Sequence, residues 1–160
     1  MKGFTLIELI LVLTILAIIV SVSAPMLASF FRGRALDSEA RRLLSLTRAG
    51  QSRAVSDGAP VMLWMDKTQG TYGIEEEMPL QGRDTKAIEF MADDHVRLDP
   101  IKASPLAVNR RKLPAIKFLP DGLIDEASPL SIKILCSDGA ILWLVEATNR
   151  LSYAISTTQR

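Results

Sequence analysis

The chain has 160 residues, with 19 Lys and Arg against 18 Asp and Glu, for a formal net charge of +1. That balance gives no global bias toward nucleic acid, and the single cysteine, Cys136, excludes a disulfide framework. The length suits one domain besides any membrane segment.

From Leu9 to Phe31 the chain is uncharged and mostly Leu, Ile, Val and Ala. These ~23 residues, as a helix, reach roughly 35 Å, enough to cross a hydrocarbon core of ~30 Å. A buried core helix is disfavoured because the segment is apolar on every face. A secretory signal peptide would be cut after Val22-Ser23-Ala24. Against it, Glu8 stands where a positive region should meet the apolar run, and Pro25 would follow the cut. An acidic residue at the edge of a membrane helix is costly and calls for a partner. One candidate is an N-terminal amine made by cleavage just upstream, where Gly3 lets a protease approach the backbone closely.

Beyond Phe31, Leu36, Ala40, Leu43, Thr47, Gly50 or Gln51, and Ala54 recur at three- and four-residue steps. This spacing predicts an amphipathic helix, with Asp37, Glu39, Arg41, Arg42, Arg48 and Arg53 on its solvated face. Pro25 removes a backbone donor and predicts a kink, and Gly33 adds a second soft point. Asp57-Gly58, followed by Pro60, is a stop signal. The expected helix runs from Phe4 to Asp57, about 54 residues and roughly 80 Å.

After Gly58 the sequence turns to short strands. Val61–Met65 and Thr71–Ile74 flank a hairpin loop at Asp66–Gly70. Glu75 to Lys86 reads as a polar loop. Ile88–Phe90 and Val96–Leu98 are short strand candidates, and Asp99 to Leu113, with Pro100 and Pro105, reads as irregular. Ala115–Phe118 is a strand ended by the turn Pro120-Asp121-Gly122. Leu130–Leu135, Ala140–Val145 and Leu151–Ile155 predict an antiparallel meander, with Leu130, Ile132 and Ile134 on one face. The fold class is therefore α+β: a long helix whose second half is buried by one small, mainly antiparallel sheet.

Candidate chemistry is sparse. His95 is the only histidine and Cys136 is distant in sequence, so a zinc site is disfavoured. Asp93-Asp94 and Glu75-Glu76-Glu77 lack the alternating spacing of a calcium loop. No serine sits in a nucleophile elbow, and there is no phosphate loop or dinucleotide motif. Cys136, Trp64 and Trp143 read as core residues. Arg110-Arg111-Lys112 reads as a solvated basic run. The expectation is no catalytic residue, no metal, no cofactor and no enzyme. Basic residues gather after the apolar run, at Arg32, Arg34, Arg41 and Arg42. By the positive-inside rule alone they would place the C-terminal part in the cytoplasm.

Lys2-Gly3-Phe4-Thr5-Leu6-Ile7-Glu8-Leu9 resembles the class III leader of type IV pilins and type II secretion pseudopilins. The resemblance implies that a prepilin peptidase cuts after Gly3 and methylates Phe4, so Glu8 becomes the fifth residue of the processed chain. Pro25 falls where that family commonly has a proline. The stretches Ser38–Leu43, Val61–Asp66 and Phe118-Leu119-Pro120-Asp121-Gly122, with the turn at Asp138-Gly139, look like H-type (GspH/FimT) minor pseudopilins and minor pilins. The implied organisation is a leader at 1–3, a transmembrane helix at 4–31, its amphipathic continuation at 32–57 and a periplasmic β-rich head at 58–160.

The implied function is that of a minor type II secretion pseudopilin in a short filament anchored in the bacterial inner membrane. Its partners would be other pseudopilins, the prepilin peptidase, the inner-membrane assembly platform and membrane lipid. Glu8 would neutralise the amine of Phe4 in a neighbouring subunit. The alternatives are a minor type IV pilin used in DNA uptake or adhesion, with Arg110, Arg111 and Lys112 as the basic contact, and a signal-anchored periplasmic enzyme.

Overall fold

In the computed structural model, which describes residues 5–79, 84–108 and 111–159, one helix carries the rest of the molecule. Helix α1 spans Leu6–Asp57, and its backbone stays helical through Pro25 and Gly33. Thr5 caps its start in an extended conformation, and its hydroxyl accepts from the amide of Glu8 at 3.4 Å. Gly58, at φ 65°, caps its end in the left-handed conformation.

The strands follow as β1 (Val61–Asp66), β2 (Thr71–Glu76), β3 (Ile88–Met91), β4 (Val96–Ile101), β5 (Pro105–Val108), β6 (Arg111–Phe118), β7 (Ser131–Cys136), β8 (Ile141–Glu146) and β9 (Tyr153–Ser156). They form two sheets instead of the expected one. The first has the order β3-β2-β1-β6-β5, and the second β4-β7-β8-β9. Every pairing between these strands is antiparallel. The second half of α1 packs against both sheets, touching β1 and β6 of one and β4, β7, β8 and β9 of the other. The α+β class, with a long helix ahead of antiparallel sheets, is the observed architecture.

The helical stripe read from the sequence is the buried face. Leu36, Ala40, Leu43, Thr47, Gly50 and Ala54 are all buried, and Leu46 joins them. They meet Val61, Leu63, Met65, Tyr72, Ile74, Ile116 and Phe118 from the first sheet. Ile132, Ile134, Cys136, Leu144 and Tyr153 close the core from the second. Removing this much apolar surface from water is the main favourable term, at about 25 cal/mol per Å². The outer face of the first sheet holds a smaller cluster of Met62, Trp64 and Ala115, with Leu106 and Leu113 packed against it.

Several expectations are corrected. The Asp99–Leu113 stretch is not irregular: it completes β4 and contains all of β5 and the start of β6. Its prolines are accommodated because β4 and β5 are edge strands, where a missing N–H breaks no ladder. Pro114 faces Pro105 across the β5–β6 pair, beyond the part of β6 that pairs with β1. Glu75 and Glu76 belong to β2 instead of a loop, and Glu75 is buried. Glu39 is buried on the helix face read as solvated, because Tyr72 provides a donor there. Leu130 lies outside β7 and is exposed, while Ile132 and Ile134 are fully buried. The last strand begins at Tyr153, and Trp143 is only half-buried.

Candidate assembly site

The first half of α1 is built for a nonaqueous surrounding. The window Leu6–Ser23 has a mean hydropathy of 2.8, and none of it is buried within the molecule. Leu6, Ile7, Leu9, Ile10, Leu11 and Ile18 all stand exposed. Two hydroxyls in this stretch are satisfied along the helix: Thr14 donates to the carbonyl of Ile10 at 2.8 Å and Ser21 to that of Ala17 at 2.7 Å. Such back-bonding removes the need for water, as a lipid surrounding demands.

Glu8 sits in the first turn of α1, exposed, where the helix dipole favours an anion. Among the described residues no cation pairs with it. Gly3 and Phe4, the sequence candidates for cleavage and methylation, lie outside the described residues. Thr5 is the residue that sequence reasoning missed. The spacing Thr5-Leu6-Ile7-Glu8 is that of a capping box, a signal that could have placed the helix start.

The other candidates are dispersed. His95 is exposed in the turn between β3 and β4. Cys136 is its neighbour across the sheet, since Val96 faces Cys136 and the amide of Ser137 donates to the His95 carbonyl at 2.8 Å. The two side chains diverge, for Cys136 is buried and its thiol lies 3.8 Å from the carbonyl of Arg32. Among the described residues no group of three His, Cys, Asp or Glu stands together as a metal site. Glu77 is taken up by Lys117 at 2.8 Å. Of the basic triplet, Arg110 lies outside the described residues, Arg111 pairs with Asp66 at 3.1 Å and Lys112 is exposed. Arg111 and Lys112 open β6, paired with β5, and do not lie in an irregular loop.

Ion pairs fix the head onto the helix at both ends. At the end nearer the apolar half, the Arg32 Nε lies 3.8 Å from Asp138 in the β7–β8 turn. The amide of Ala140 and further contacts hold the Asp138 carboxyl below the usual range. At the far end, Arg53 meets Asp84 at 2.7 Å and Asp57 at 3.3 Å, and Lys86 meets Asp57 at 2.9 Å. Burial pushes the Asp84 carboxyl up, but Arg53 and the amides of Glu76 and Lys86 outweigh it and hold it low.

A family model for the prokaryotic N-terminal methylation motif matches residues 1–24. A second, for type II transport protein GspH, matches residues 39–158. The chain belongs to the GspH family. Its fold is shared with two solved structures. The type IV minor pilin FimU of Pseudomonas aeruginosa superposes with a TM-score of 0.57 at 13% identity, covering 79% of this chain and 92% of FimU. The minor pseudopilin EpsH of the type 2 secretion system of Vibrio cholerae gives 0.52 at 14% identity, covering 78% of this chain and 94% of EpsH. Comparison with curated protein sequences finds no match. The family is that of the type II transport protein GspH, and both solved neighbours, one a minor pilin and one a minor pseudopilin, share the fold of this chain. The GspH match begins inside α1, at Glu39, so it covers the half of the helix that the head buries. The methylation motif covers the exposed half.

Proposed function

We propose that this protein is a minor pseudopilin of a type II secretion system, held in the bacterial inner membrane by α1 with its head in the periplasm. Residues 1–3 are the leader, 4–31 the transmembrane helix, 32–57 its amphipathic continuation and 58–160 the head. A prepilin peptidase cuts between Gly3 and Phe4 and methylates Phe4. The processed chain then assembles with other pseudopilins on an inner-membrane platform into a short filament. Its role is structural and not catalytic.

The observation that carries this reading is the division of one helix into an exposed apolar half under a methylation motif and a buried half under a GspH head. Glu8 stands at the start of the apolar half with no cation among the described residues. A lone carboxylate and a lone ammonium are both costly in lipid, so pairing Glu8 with the Phe4 amine of a neighbour selects one axial register. Apolar packing of residues 9–31 supplies most of the affinity.

Mass spectrometry of the mature N-terminus tests the processing. A methylated Phe4 supports the reading, and a chain beginning at Met1 or after Ala24 overturns it. Deletion of the gene tests the system. Loss of secreted enzymes with pili intact supports the pseudopilin. The similarity to FimU favours a second reading, a minor type IV pilin, which predicts loss of pilus-dependent adhesion or DNA uptake with secretion intact.

A further inference from the structure

The four arginines that follow the apolar run are not equivalent. Arg32 lies beside Asp138, Arg41 pairs with Asp37 at 2.8 Å and Arg42 pairs with Glu39 at 3.3 Å. Arg34 is exposed and, among the described residues, has no carboxylate partner. Its guanidinium instead folds back one turn toward the apolar half of α1, with Cζ 5.7 Å from the centroid of the Phe30 ring. It lies on a shallow groove formed with Phe30, Gly33, Asp37, Ser38 and Arg41. A Cβ added at Gly33 would meet nothing within 4 Å, so the groove floor is open.

Depth decides what occupies this groove. A hydrocarbon core of ~30 Å takes about 20 helical residues at ~1.5 Å each, so counting from Leu9 it ends near residue 28. The headgroup layer adds roughly 5–8 Å on each side. The Cα of Arg34, about 9 Å further along the helix, therefore stands just outside that layer, and its side chain points back into it, as helical side chains do. Phe30 marks the apolar boundary beneath it. A planar fork of N–H donors with no carboxylate partner among the described residues, held at the depth of lipid phosphates, matches a phosphate in charge and geometry.

We propose that Arg34 is a phospholipid-binding residue whose guanidinium takes a headgroup phosphate diester in the groove beside Phe30 and Gly33. The contact fixes the depth of α1, and with it the height of the head above the bilayer. Arg32, Arg41 and Arg42 are committed to the head or to α1 itself and contribute little to this contact. The proposal rests on the membrane-spanning reading of α1.

The test uses the full chain, labelled with ¹³C at arginine Cζ and reconstituted at low protein-to-lipid ratio into phosphatidylethanolamine–phosphatidylglycerol bilayers. The buffer is free of inorganic phosphate, so that the only ³¹P belongs to lipid. Flotation of the proteoliposomes is checked first. Solid-state ¹³C–³¹P dephasing should then show a close guanidinium–phosphate contact that is lost in Arg34→Gln and retained in Arg41→Gln. An unchanged near-UV circular dichroism spectrum confirms that the head of each variant is folded. Flotation without dephasing, or dephasing that survives Arg34→Gln, overturns the proposal and leaves the anchor intact. Dephasing that appears only in Arg41→Gln, where Asp37 is released, also overturns it. A chain that fails to float overturns the anchor and this contact together.

Discussion

The phenol of Tyr72 donates a hydrogen bond to the buried carboxylate of Glu39 and so ties β2 to α1. Arg42 closes the group, with Nη1 3.3 Å from Glu39 and 3.4 Å from the Tyr72 oxygen. Its guanidinium also lies over Phe90, which stacks on Tyr72. Burial and the Glu39 carboxylate both raise the pKa of the Tyr72 phenol. Tyr72→Phe leaves the carboxylate short of a donor in the core. We expect a loss of about 1–3 kcal/mol, the usual cost of an unsatisfied buried acceptor. Denaturant unfolding of the detergent-solubilised chain measures it, and a loss within error of zero would show that water or Arg42 replaces the phenol.

Glu8→Ala should leave the head folded and the helix inserted but depress filament assembly. The variant leaves the neighbour's Phe4 amine unpaired; a charge at the centre of a membrane helix costs about 2.5–3.5 kcal/mol and less at its edge, and 1.4 kcal/mol is tenfold, so a drop of about tenfold in assembled subunit is expected. Crosslinking of the variant into filaments at the normal level would sink the role given to Glu8.

Two glycines of α1 should respond in opposite directions to alanine. At Gly50 a Cβ would come within 2.8 Å of Phe118 Cε2 in the core, and the clash should cost about 1–3 kcal/mol despite the gain in helix propensity. At Gly33 nothing stands within 4 Å, and Gly33→Ala should gain up to about 1 kcal/mol. Thermal unfolding of the pair in parallel checks both signs.

Asp84→Asn should loosen the connection between β2 and β3. The carboxylate accepts from Arg53 at 2.7 Å and from the amides of Glu76 and Lys86 at 2.8 Å. Its folded pKa is held below the ordinary aspartate value, so its contribution is present above that ordinary value and is lost as pH falls through the lowered pKa. Hydrogen exchange of the Glu76 and Lys86 amides should quicken in the variant at neutral pH. Unchanged protection would mean that the strands alone hold the loop.

Glu146 has the opposite sign. Its side chain is buried, Oε1 has no hydrogen-bond partner, and Arg150 Nε lies 3.8 Å away. Burial raises its pKa above 4.5, with Arg150 opposing only in part. The stability it confers is therefore complete below 4.5 and is lost as pH rises through the raised folded value. Glu146→Gln should stabilise the protein at neutral pH and flatten the acid limb of the difference curve. A variant less stable than the parent at neutral pH would show that the Arg150 pair outweighs burial.

Periodicity made the helical core legible. Leu36, Ala40, Leu43, Thr47 and Ala54 needed only a 3.6-residue spacing to be placed, and all are buried. Turns with obligatory geometry were equally readable: Gly58, Gly70, Gly122 and Gly139 all have positive φ. The end of β4, all of β5 and the start of β6 were not, because Pro100, Pro105 and Pro114 argue against strands until the sheet order shows which are edges. Glu39 was unreadable for a related reason. The burial of a carboxylate depends on a donor, and its donor lies 33 residues away. Of the assembly site, Glu8 was visible as a misplaced charge, whereas the unequal partners of the four arginines required the folded head.

The contacts between α1 and the second sheet join residues far apart in the chain. The Cys136 thiol meets the Arg32 carbonyl across 104 positions, and Gln51 reaches the Leu151 carbonyl across 100. Such separations slow folding, because loop closure is complete before the contacts repay it. Helix nucleation is the costly step and propagation the easy one, so an apolar half that is already helical can extend into residues 36–54 cheaply. That face then waits, apolar and uncovered, until β7, β8 and β9, which follow it in the chain, leave the ribosome. Until Tyr153 is synthesised, this apolar face lies open to aggregation and proteolysis.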